Sequence, residues 1–374
     1  MKTTITVFLT LLFVFSSCKT GQKVEPAVYE AFPINRGVNI SHWLSQSKKR
    51  GEERAQFFTQ KDVQFVAAQG YDHIRMPVDE EQLWDKEGNK EPEAFALLHQ
   101  ALGWADEAGI AVIVDLHIIR SHHFNNAVRP LWTDPAEQEK FIGLWKVLSG
   151  ELKGYPLDFV AYELMNEAVA DDPDDWNKLI AKTMTALREL EPKRKIVIGS
   201  NMWQQVQTFK DLVIPENDPN IILSFHYYTP FPLTHHQASW TGIYEYDGPV
   251  QYPGEIIKEE DLEGFSDDVK RELSYHRQVY TKDTLESLIM LPVKYAKDHG
   301  LQLYCGEWGC LPTVTREMRM LWYSDVRSIL EKHGIAWAHW DYKGGFGIID
   351  RGTGEVDKEF IRVLLGEKPG ISRQ

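Results

Sequence analysis

Short apolar segments alternate with longer amphipathic segments from residue 34 onwards. Eight of the apolar segments read as strands, and the segments between them repeat apolar positions every three or four residues, which predicts helices. The predicted strands cover residues 34–40, 71–77, 109–117, 157–166, 195–200, 220–228, 301–309 and 335–342. The predicted helices include residues 92–108, 135–152, 174–191, 283–299 and 316–333.

This alternation predicts an α/β fold, a single closed (β/α)8 TIM barrel. An open doubly wound sheet is the alternative, but such a sheet normally carries a glycine-rich phosphate turn after its first strand, and "RGVNISHWL" is not one. Residues 229–280 form a long acidic insert between the sixth and seventh strands. Loops of this length are usually functional or disordered. We expect this one on the C-terminal face of the barrel, where active sites are built.

The first residues of the chain predict export rather than part of the fold. Residues 1–17 have one early Lys and an apolar stretch, which is typical of a signal peptide. The stretch "FSSC" ends at Cys18 and resembles a bacterial lipobox, so we expect residues 18–33 to be a lipidated tether and residues 34–374 the catalytic domain. The protein would then be an outer-membrane lipoprotein, periplasmic or surface-exposed. A soluble secreted form is the alternative, because Phe15 and Ser17 depart from the commonest lipobox pattern.

The formal net charge of −14 argues against nucleic acid and against an anionic membrane surface as partners. A neutral or cationic ligand suits this charge better. The chain has 12 Trp, 15 Tyr and 17 Phe, and flat rings make good platforms for sugar faces as well as core residues. Cys305 and Cys310 flank "GEWG", and a strand there would hold them too far apart for a disulfide, so we expect free thiols.

Two carboxylates end strands on opposite sides of the predicted barrel mouth, Glu167 on the fourth strand and Glu307 on the seventh. Glycoside hydrolysis needs such a pair, one carboxyl protonated to donate to the leaving oxygen and one ionised to attack the anomeric carbon. Arg75, at the end of the second strand, is the cation expected to keep Glu307 ionised.

Strand geometry adds a constraint, because adjacent residues of a strand point to opposite faces. Asn166 and Glu167 therefore cannot both face the mouth unless a bulge or the strand end turns one of them. Glu163 shares a phase with Glu167 and would point into the barrel below the site. A buried carboxylate needs a partner, and Arg75 or His73 could serve.

Some histidines allow a metal-site interpretation. Asp115 and His117 share a phase, and His226 could supply a third ligand. The pairs at 122–123 and 235–236 also invite this interpretation, but loop histidines are more often simply solvated. On the last strand, Ala336, Ala338 and Trp340 alternate inward, which suggests a sugar-stacking floor at Trp340; a core cap is the alternative.

These residues together resemble glycoside hydrolase family 5, a family of retaining (β/α)8 enzymes. The resemblance runs from "RGVNISHWLS" to "WDYKGGFGIID". The matching residues, in the family's order, are Arg75 in "HIRMP", His117 in "VDLH", Asn166 and Glu167 in "YELMNE", His226 and Tyr228 in "FHYY", Glu307 in "CGEWG", and Trp340. The chain departs from the family at Ala168, where a proline usually follows the Asn-Glu pair, and in the long insert before the seventh strand.

The resemblance implies roles for the matching residues. Glu167 would be the acid/base and Glu307 the nucleophile, with Asn166 on the sugar 2-hydroxyl. Tyr228 would hydrogen-bond Glu307. His117 and His226 would orient the sugar and the acid, and Arg75 would support the nucleophile.

The predicted function is therefore a retaining endo-β-1,4-glucanase that acts as a monomer on a β-linked polysaccharide, with no metal or cofactor. Trp43, Trp203 and Trp240 are further candidate sugar platforms beside Trp340. Mannan, xyloglucan and mixed-linkage glucan remain alternative substrates. A lipid-anchored glycan-binding protein with a decayed site and a metal-dependent hydrolase are the alternatives from other classes.

Overall fold

The computed structural model describes residues 29–350 and 352–366, and within them eight parallel strands close into a barrel. Around the barrel the strands follow the order β1-β10-β9-β6-β5-β4-β3-β2, where β7 and β8 form a separate antiparallel pair. The predicted (β/α)8 fold is confirmed. The strands are β1 (Arg36–Asn39), β2 (His73–Asp79), β3 (Ala111–Ile118), β4 (Val160–Glu163), β5 (Ile196–Gly199), β6 (Ile221–Tyr227), β7 (Gly254–Glu255), β8 (Val279–Tyr280), β9 (Gln302–Trp308) and β10 (Ala336–His339).

Helices surround the barrel, and the five predicted from periodicity all form, each within one residue of its expected ends. The described residues form seven further helices of four to ten residues, at 51–57, 60–69, 80–83, 201–204, 231–234, 267–274 and 358–365, which were not predicted because each offers too few turns for a clear apolar repeat. The helices are α1 (Gly51–Phe57), α2 (Gln60–Gln69), α3 (Glu80–Leu83), α4 (Pro92–Ala108), α5 (Pro135–Leu152), α6 (Pro173–Leu190), α7 (Asn201–Gln204), α8 (Phe231–Thr234), α9 (Asp267–Ser274), α10 (Lys282–His299), α11 (Arg316–Lys332) and α12 (Lys358–Leu365), with 3₁₀ turns at Pro130–Trp132, Val206–Asp211 and Glu259–Leu262.

Strand β4 is shorter than predicted and ends at Glu163, three residues before Asn166. Its last ladder pairs are Asp115 with Glu163 on one side and Glu163 with Val197 on the other. Beyond Glu163 the backbone leaves the ladder. The Asn-Glu pair therefore lies on a turn, where the alternation of a strand no longer applies.

Two apolar layers stabilise the barrel. The larger one packs the outer faces of the strands against the helices. The smaller one fills the barrel interior with mostly small and β-branched side chains, which leaves the mouth free for polar groups. The inner residues are Phe32, Ile34, Ala111, Ile113, Ala161, Val197, Ile222, Tyr304, Ala336 and Ala338.

The predicted tether ran to residue 33, but Phe32 is already part of the folded domain. Its side chain is 2% exposed and belongs to the inner barrel layer. Its backbone exchanges two hydrogen bonds with the side chain of Gln302, at 2.8 and 3.0 Å. The folded domain therefore includes at least Phe32. The predicted signal peptide and Cys18 lie outside the described residues.

The insert at residues 229–280 is ordered and contains α8, α9, one 3₁₀ turn and the β7–β8 pair. It buries apolar side chains of its own, among them Tyr246, Tyr252 and Leu273, which join the outer apolar layer. The insert lines the cavity at the barrel mouth, where the sequence placed it.

The cysteines and the helices of the described residues bear on two further questions, disulfide pairing and membrane spanning. Cys305 and Cys310 are both buried free thiols. Among the helices at residues 29–350 and 352–366, none combines the length and apolar character needed to cross a bilayer.

We predict that Gly37→Ala destabilises the fold, since a Cβ at Gly37 would lie 2.2 Å from His73 Nε2 inside the barrel. Such overpacking costs about 1–3 kcal/mol, measurable by urea unfolding. Gly103→Ala in α4 is the matched control, because its Cβ meets nothing within 4 Å and alanine favours a helix by about 1 kcal/mol. Equal stability of the two variants would contradict this packing.

Candidate active site

The mouth of the barrel opens into a cavity of about 940 Å³ between the strand ends and the insert. Of the residues predicted to form a site, most line this cavity and Arg75 lies buried within the barrel mouth. The lining includes His117, Asn166, Glu167, Trp203, His226, Tyr228, Trp240, Glu307 and Trp340.

The guanidinium of Arg75 joins three buried carboxylates. It donates from Nε to Glu163 Oε2 at 2.6 Å and from Nη1 to Glu307 Oε1 at 2.7 Å. Its Nη2 lies 3.0 Å from Asp115 Oδ2. Burial alone would lower the pKa of Arg75, but the charges of Asp115, Glu163 and Glu307 outweigh burial and raise it well above its ordinary value. Arg75 therefore stays charged and contacts Glu307 as predicted. Of the two partners considered for Glu163, Arg75 and His73, the structure shows Arg75.

The remaining Arg75 bonds orient two amides. Nη1 donates to Asn39 Oδ1 and Nη2 to Asn166 Oδ1, both at 2.9 Å. The Asn39 amide in turn donates to the Gly306 carbonyl at 3.0 Å. Because the oxygen of Asn166 accepts from Arg75, its NH2 group is the part left to donate to a ligand.

Glu167 and Glu307 face each other closely. One carboxylate oxygen of each lies within 4.8 Å of the other, and a nitrogen of His226 lies within the same distance of both. His226 Nδ1 is 2.9 Å from Glu167 Oε1 and 3.7 Å from Glu307 Oε2. The separation matches the short spacing, about 5 Å, found in glycosidases that retain configuration.

The two carboxyls have unequal surroundings. Burial, and then the charge of Glu307, raise the pKa of Glu167 well above its ordinary value. Burial raises the pKa of Glu307 too, but Arg75 and a hydrogen bond from the Tyr228 hydroxyl, at 2.9 Å, oppose that rise. The site can therefore hold a proton on Glu167 beside an ionised Glu307. The predicted bond between Tyr228 and Glu307 is confirmed.

The backbone at Glu167 explains how Asn166 and Glu167 both reach the site. Glu167 has a φ of +46°, in the left-handed region that side chains other than glycine rarely adopt. Since the turn lies beyond the end of β4, this conformation directs Glu167 towards His226 while Asn166 contacts Arg75. The strand end was predicted to turn one of the two residues, and it does.

His117 and Trp340 form one wall of the cavity. Their rings stack with centroids 5.6 Å apart and planes 5° from parallel. His117 Nδ1 is 2.6 Å from Asp115 Oδ2, as their shared strand phase predicted. Burial lowers the pKa of His117 to about 3 and raises that of Asp115 to about 7, so the imidazole stays neutral.

The alternative interpretation of Asp115, His117 and His226 as metal ligands is not supported, because these three residues do not form a close group among the described residues. Asp115 is engaged by Arg75 and His117 instead. Among the described side chains, the group close enough to share an ion is Glu167, His226 and Glu307. Both carboxylates of that group already have partners, Glu167 in His226 and Glu307 in Arg75 and Tyr228.

Two sets of sequence predictions were wrong. Trp43 is fully buried in the outer apolar layer, where it packs on Phe58 and donates from Nε1 to the Arg54 carbonyl, so it cannot serve as a sugar platform. The loop histidines were expected to be solvated, but most of them are at most 8% exposed, because they bond to loop backbone or pack on aromatic rings. The buried histidines are His122, His235 and His236.

An aromatic cluster beside Tyr228 was partly missed, since Tyr228 and Trp240 were predicted site residues but Phe346 was not. Trp240, which is 54% exposed, packs near Phe346, with ring centroids 6.5 Å apart. Phe346 also lies 6.0 Å from the Tyr228 ring, and His235 lies 4.9 Å from it. Phe346 sits in an irregular loop after β10, and no periodic pattern marks such a residue.

A pair of buried carboxylates across the mouth of a (β/α)8 barrel defines a glycoside hydrolase site. The family model for cellulase, glycosyl hydrolase family 5, matches residues 33–345, and the chain belongs to this family. It is therefore a glycoside hydrolase, and the resemblance inferred from the sequence is confirmed.

Individual relatives agree with this assignment. Endoglucanase C of Acetivibrio thermocellus is 29% identical over 346 residues, covering 89% of this chain and 98% of that protein. Cellodextrinase A of Ruminococcus flavefaciens is 26% identical over 307 residues, covering 81% and 84%. The crystal structure of a hyperthermophilic endo-β-1,4-glucanase in complex with substrate has a TM-score of 0.71 at 23% identity, covering 89% of this chain and 97% of that one, and shows the same fold.

We predict that Arg75→Met lowers the free energy of unfolding by about 3–5 kcal/mol, because it leaves buried carboxylates without a cation. Burial already raises the pKa of Glu163. In the variant the pKa of Glu163 rises further, and only in the folded state. The loss of stability should therefore be small at low pH and grow as the pH rises. Chemical denaturation at several pH values measures this.

Arg316→Met is the matched control, because Arg316 pairs with Asp357 and Glu359 at the surface and should cost about 1 kcal/mol or less. Adding Glu163→Gln to Arg75→Met should recover part of the lost stability. A loss that does not depend on pH, or no recovery in the double variant, would contradict the buried-charge account.

Proposed function

We propose that this protein is an endo-β-1,4-glucanase that hydrolyses its substrate by double displacement with retention of configuration. The observation that carries the proposal is the pair of buried carboxyls, Glu167 and Glu307, with oxygens within 4.8 Å of each other and unequal electrostatic surroundings. A gap this short lets the second carboxylate attack the sugar directly, but leaves no room for the water that inverting enzymes hold between their general base and the sugar.

Glu307 is the nucleophile in this mechanism. Arg75 and Tyr228 each donate a hydrogen bond to its carboxylate, at 2.7 and 2.9 Å, which favours the ionised form. Attack on the anomeric carbon forms the glycosyl-enzyme ester and breaks the bond to the leaving oxygen.

Glu167 is the acid/base. Its raised pKa keeps the proton that the leaving oxygen needs. After the leaving group departs, the Glu167 carboxylate takes a proton from a water molecule whose oxygen attacks the anomeric carbon. The bond between that carbon and Glu307 breaks, which frees the Glu307 carboxylate and leaves Glu167 protonated again. His226 beside it stays neutral, because burial lowers the pKa of His226 well below its ordinary value. Its Nδ1 lies 2.9 Å from Glu167 Oε1, and this contact orients the carboxyl.

The polar side chains around the two acids fit a sugar ring. The NH2 group of Asn166 can donate to the 2-hydroxyl, a contact that strengthens in the transition state. His117 and His226 line the cavity, where His117 stacks on Trp340 and His226 contacts Glu167, so both shape the space for a sugar. Trp340, Trp203 and Trp240 offer ring surfaces to sugar faces.

The choice of β-1,4-glucan rests on the cellulase family and on relatives described as endoglucanases. The acidic, aromatic surface suits a neutral polymer. Internal cleavage suits a cavity that opens along the barrel mouth between the strand ends and the insert.

We predict that Glu307→Gln removes hydrolysis of cellulose oligosaccharides and that Glu167→Gln slows it by about 10²–10⁴-fold, the usual contribution of a general acid. Added azide should restore the Glu167→Gln rate on substrates with good leaving groups and yield a β-glycosyl azide. Proton NMR of the wild-type reaction should show the β-anomer first.

Glu263→Gln is the control, because Glu263 is an exposed carboxylate on the insert that is not part of the cavity lining. It should keep near-normal rates. An α-anomeric first product would contradict double displacement, and binding to glucan without release of reducing ends would indicate a glycan-binding protein. A polysaccharide panel that includes mannan, xyloglucan and mixed-linkage glucan tests the substrate.

We further propose that the protein is exported and anchored by a lipid on Cys18, on the basis of the apolar stretch and "FSSC" in the sequence. Acylation at this position would hold the enzyme to a membrane, whereas the net charge of −14 gives the chain no overall attraction to an anionic membrane surface.

Cys18→Ala should abolish labelling by a fatty-acid analogue and move activity from the membrane fraction to the soluble fraction. Cys305→Ala is the control, because that thiol is buried in the domain. Membrane association that is unchanged in Cys18→Ala would contradict the anchor.

A further inference from the structure

The turn that carries Glu167 is held in a strained conformation by contacts outside the strand ladder. The φ of +46° at Glu167 is unfavourable for a residue with a Cβ atom. Strain of this kind persists only where the surroundings fix it. The Glu167 carboxylate itself contacts His226 at 2.9 Å, which is a single point of support, so its placement depends on the backbone.

Asn201 makes a two-point contact with the far end of this turn. Its Nδ2 donates to the Ala170 carbonyl and its Oδ1 accepts from the Ala170 N–H, both at 2.8 Å. Asn201 is 5% exposed and follows β5, the neighbouring strand. Both polar groups of Ala170 are therefore satisfied by one side chain from another loop.

Two further contacts fix the residues between Ala170 and Glu167. His122 Nε2 accepts from the Val169 N–H at 3.2 Å. The Trp203 N–H donates to the Ala168 carbonyl at 3.2 Å. Three successive residues after Glu167 are thus bonded to neighbouring loops.

Ala168 stands where the family pattern has proline. A residue before proline is driven towards an extended backbone with φ near about −120°. Glu167 has the opposite sign of φ here. A proline at 168 and the observed turn are therefore alternative ways to aim the same carboxyl, and this chain uses the second.

We propose that Asn201 and His122 are positioning residues for Glu167, and that they fix the acid through the backbone of the 168–170 turn where proline would otherwise do so. The proposal rests on the acid/base role of Glu167. Neither side chain touches the reacting atoms. Their loss displaces the acid, and a displacement of about 1 Å can cost about 100-fold in rate.

The test separates acid placement from general damage by changing only the leaving group. Phenyl β-cellobioside needs protonation of its leaving oxygen, whereas 2,4-dinitrophenyl β-cellobioside departs without it. For Asn201→Ala we expect kcat/KM to fall about 10- to 100-fold on the phenyl substrate and less than about 3-fold on the dinitrophenyl substrate. His122→Ala should change the ratio in the same direction. The ratio of the two values does not depend on how much of the preparation is folded.

Asn177→Ala is the matched control. Asn177 makes the same two-point contact elsewhere, donating to the Asp211 carbonyl and accepting from the Val213 N–H, both at 2.9 Å. It should lower stability without changing the ratio. A ratio in Asn201→Ala equal to that in Asn177→Ala would overturn the proposal. If the wild-type enzyme hydrolyses neither substrate, the proposed function fails and not the positioning.

Ala168→Pro tests the role of the turn independently, because this substitution removes no side-chain contact. The proposal expects lower kcat/KM on the phenyl substrate, again with little change on the dinitrophenyl substrate, since proline disfavours the left-handed turn at Glu167. Unchanged or improved activity in this variant, although it restores the usual family residue, would overturn the role of the turn.

Discussion

The buried guanidinium of Arg75 is the interaction on which the rest of the site depends. It lies among Asp115, Glu163 and Glu307, which could not be buried as anions without a cation between them. The same group fixes the oxygens of Asn39 and Asn166, so one side chain sets both charge and orientation. The (β/α)8 barrel makes this possible, because its strands deliver residues distant in sequence to a common layer.

The mechanism we propose depends on unequal support for two similar carboxyls. Glu307 is held by Arg75 and Tyr228, whereas Glu167 has a neutral imidazole beside it and a negative charge opposite. Burial raises the pKa of both and the charge of Arg75 opposes the rise at both, but Glu307 is the one that bonds directly to Arg75 and to the Tyr228 hydroxyl. A proton is therefore stored on one side of the cavity and a negative charge on the other before any sugar arrives.

Much of this could be predicted from the sequence. The helical periods gave five helices to within a residue, and strand phase correctly paired Asp115 with His117 and directed Glu163 inward. Residue types at strand ends identified the two acids because such positions converge in a parallel barrel.

The failures occurred where tertiary contacts override pattern. Trp43 follows a strand end, as Trp203 and Trp340 do, but its indole packs in the core and donates a hydrogen bond to the Arg54 carbonyl. The loop histidines were expected to be solvated, but His122 is buried and accepts a hydrogen bond from the Val169 backbone N–H. The end of β4 and the left-handed backbone at Glu167 depend on contacts with other loops, which no local periodicity records.

The most direct test of the account is a ¹³C NMR titration of the carboxyl carbons of Glu167 and Glu307 in the free enzyme, assigned with the two Gln variants. The account predicts that Glu307 loses its proton at lower pH than Glu167, and that Glu307→Gln lowers the pKa of Glu167 because the opposing charge is gone. Deprotonation of Glu167 before Glu307, or a Glu167 pKa unchanged in Glu307→Gln, would contradict it.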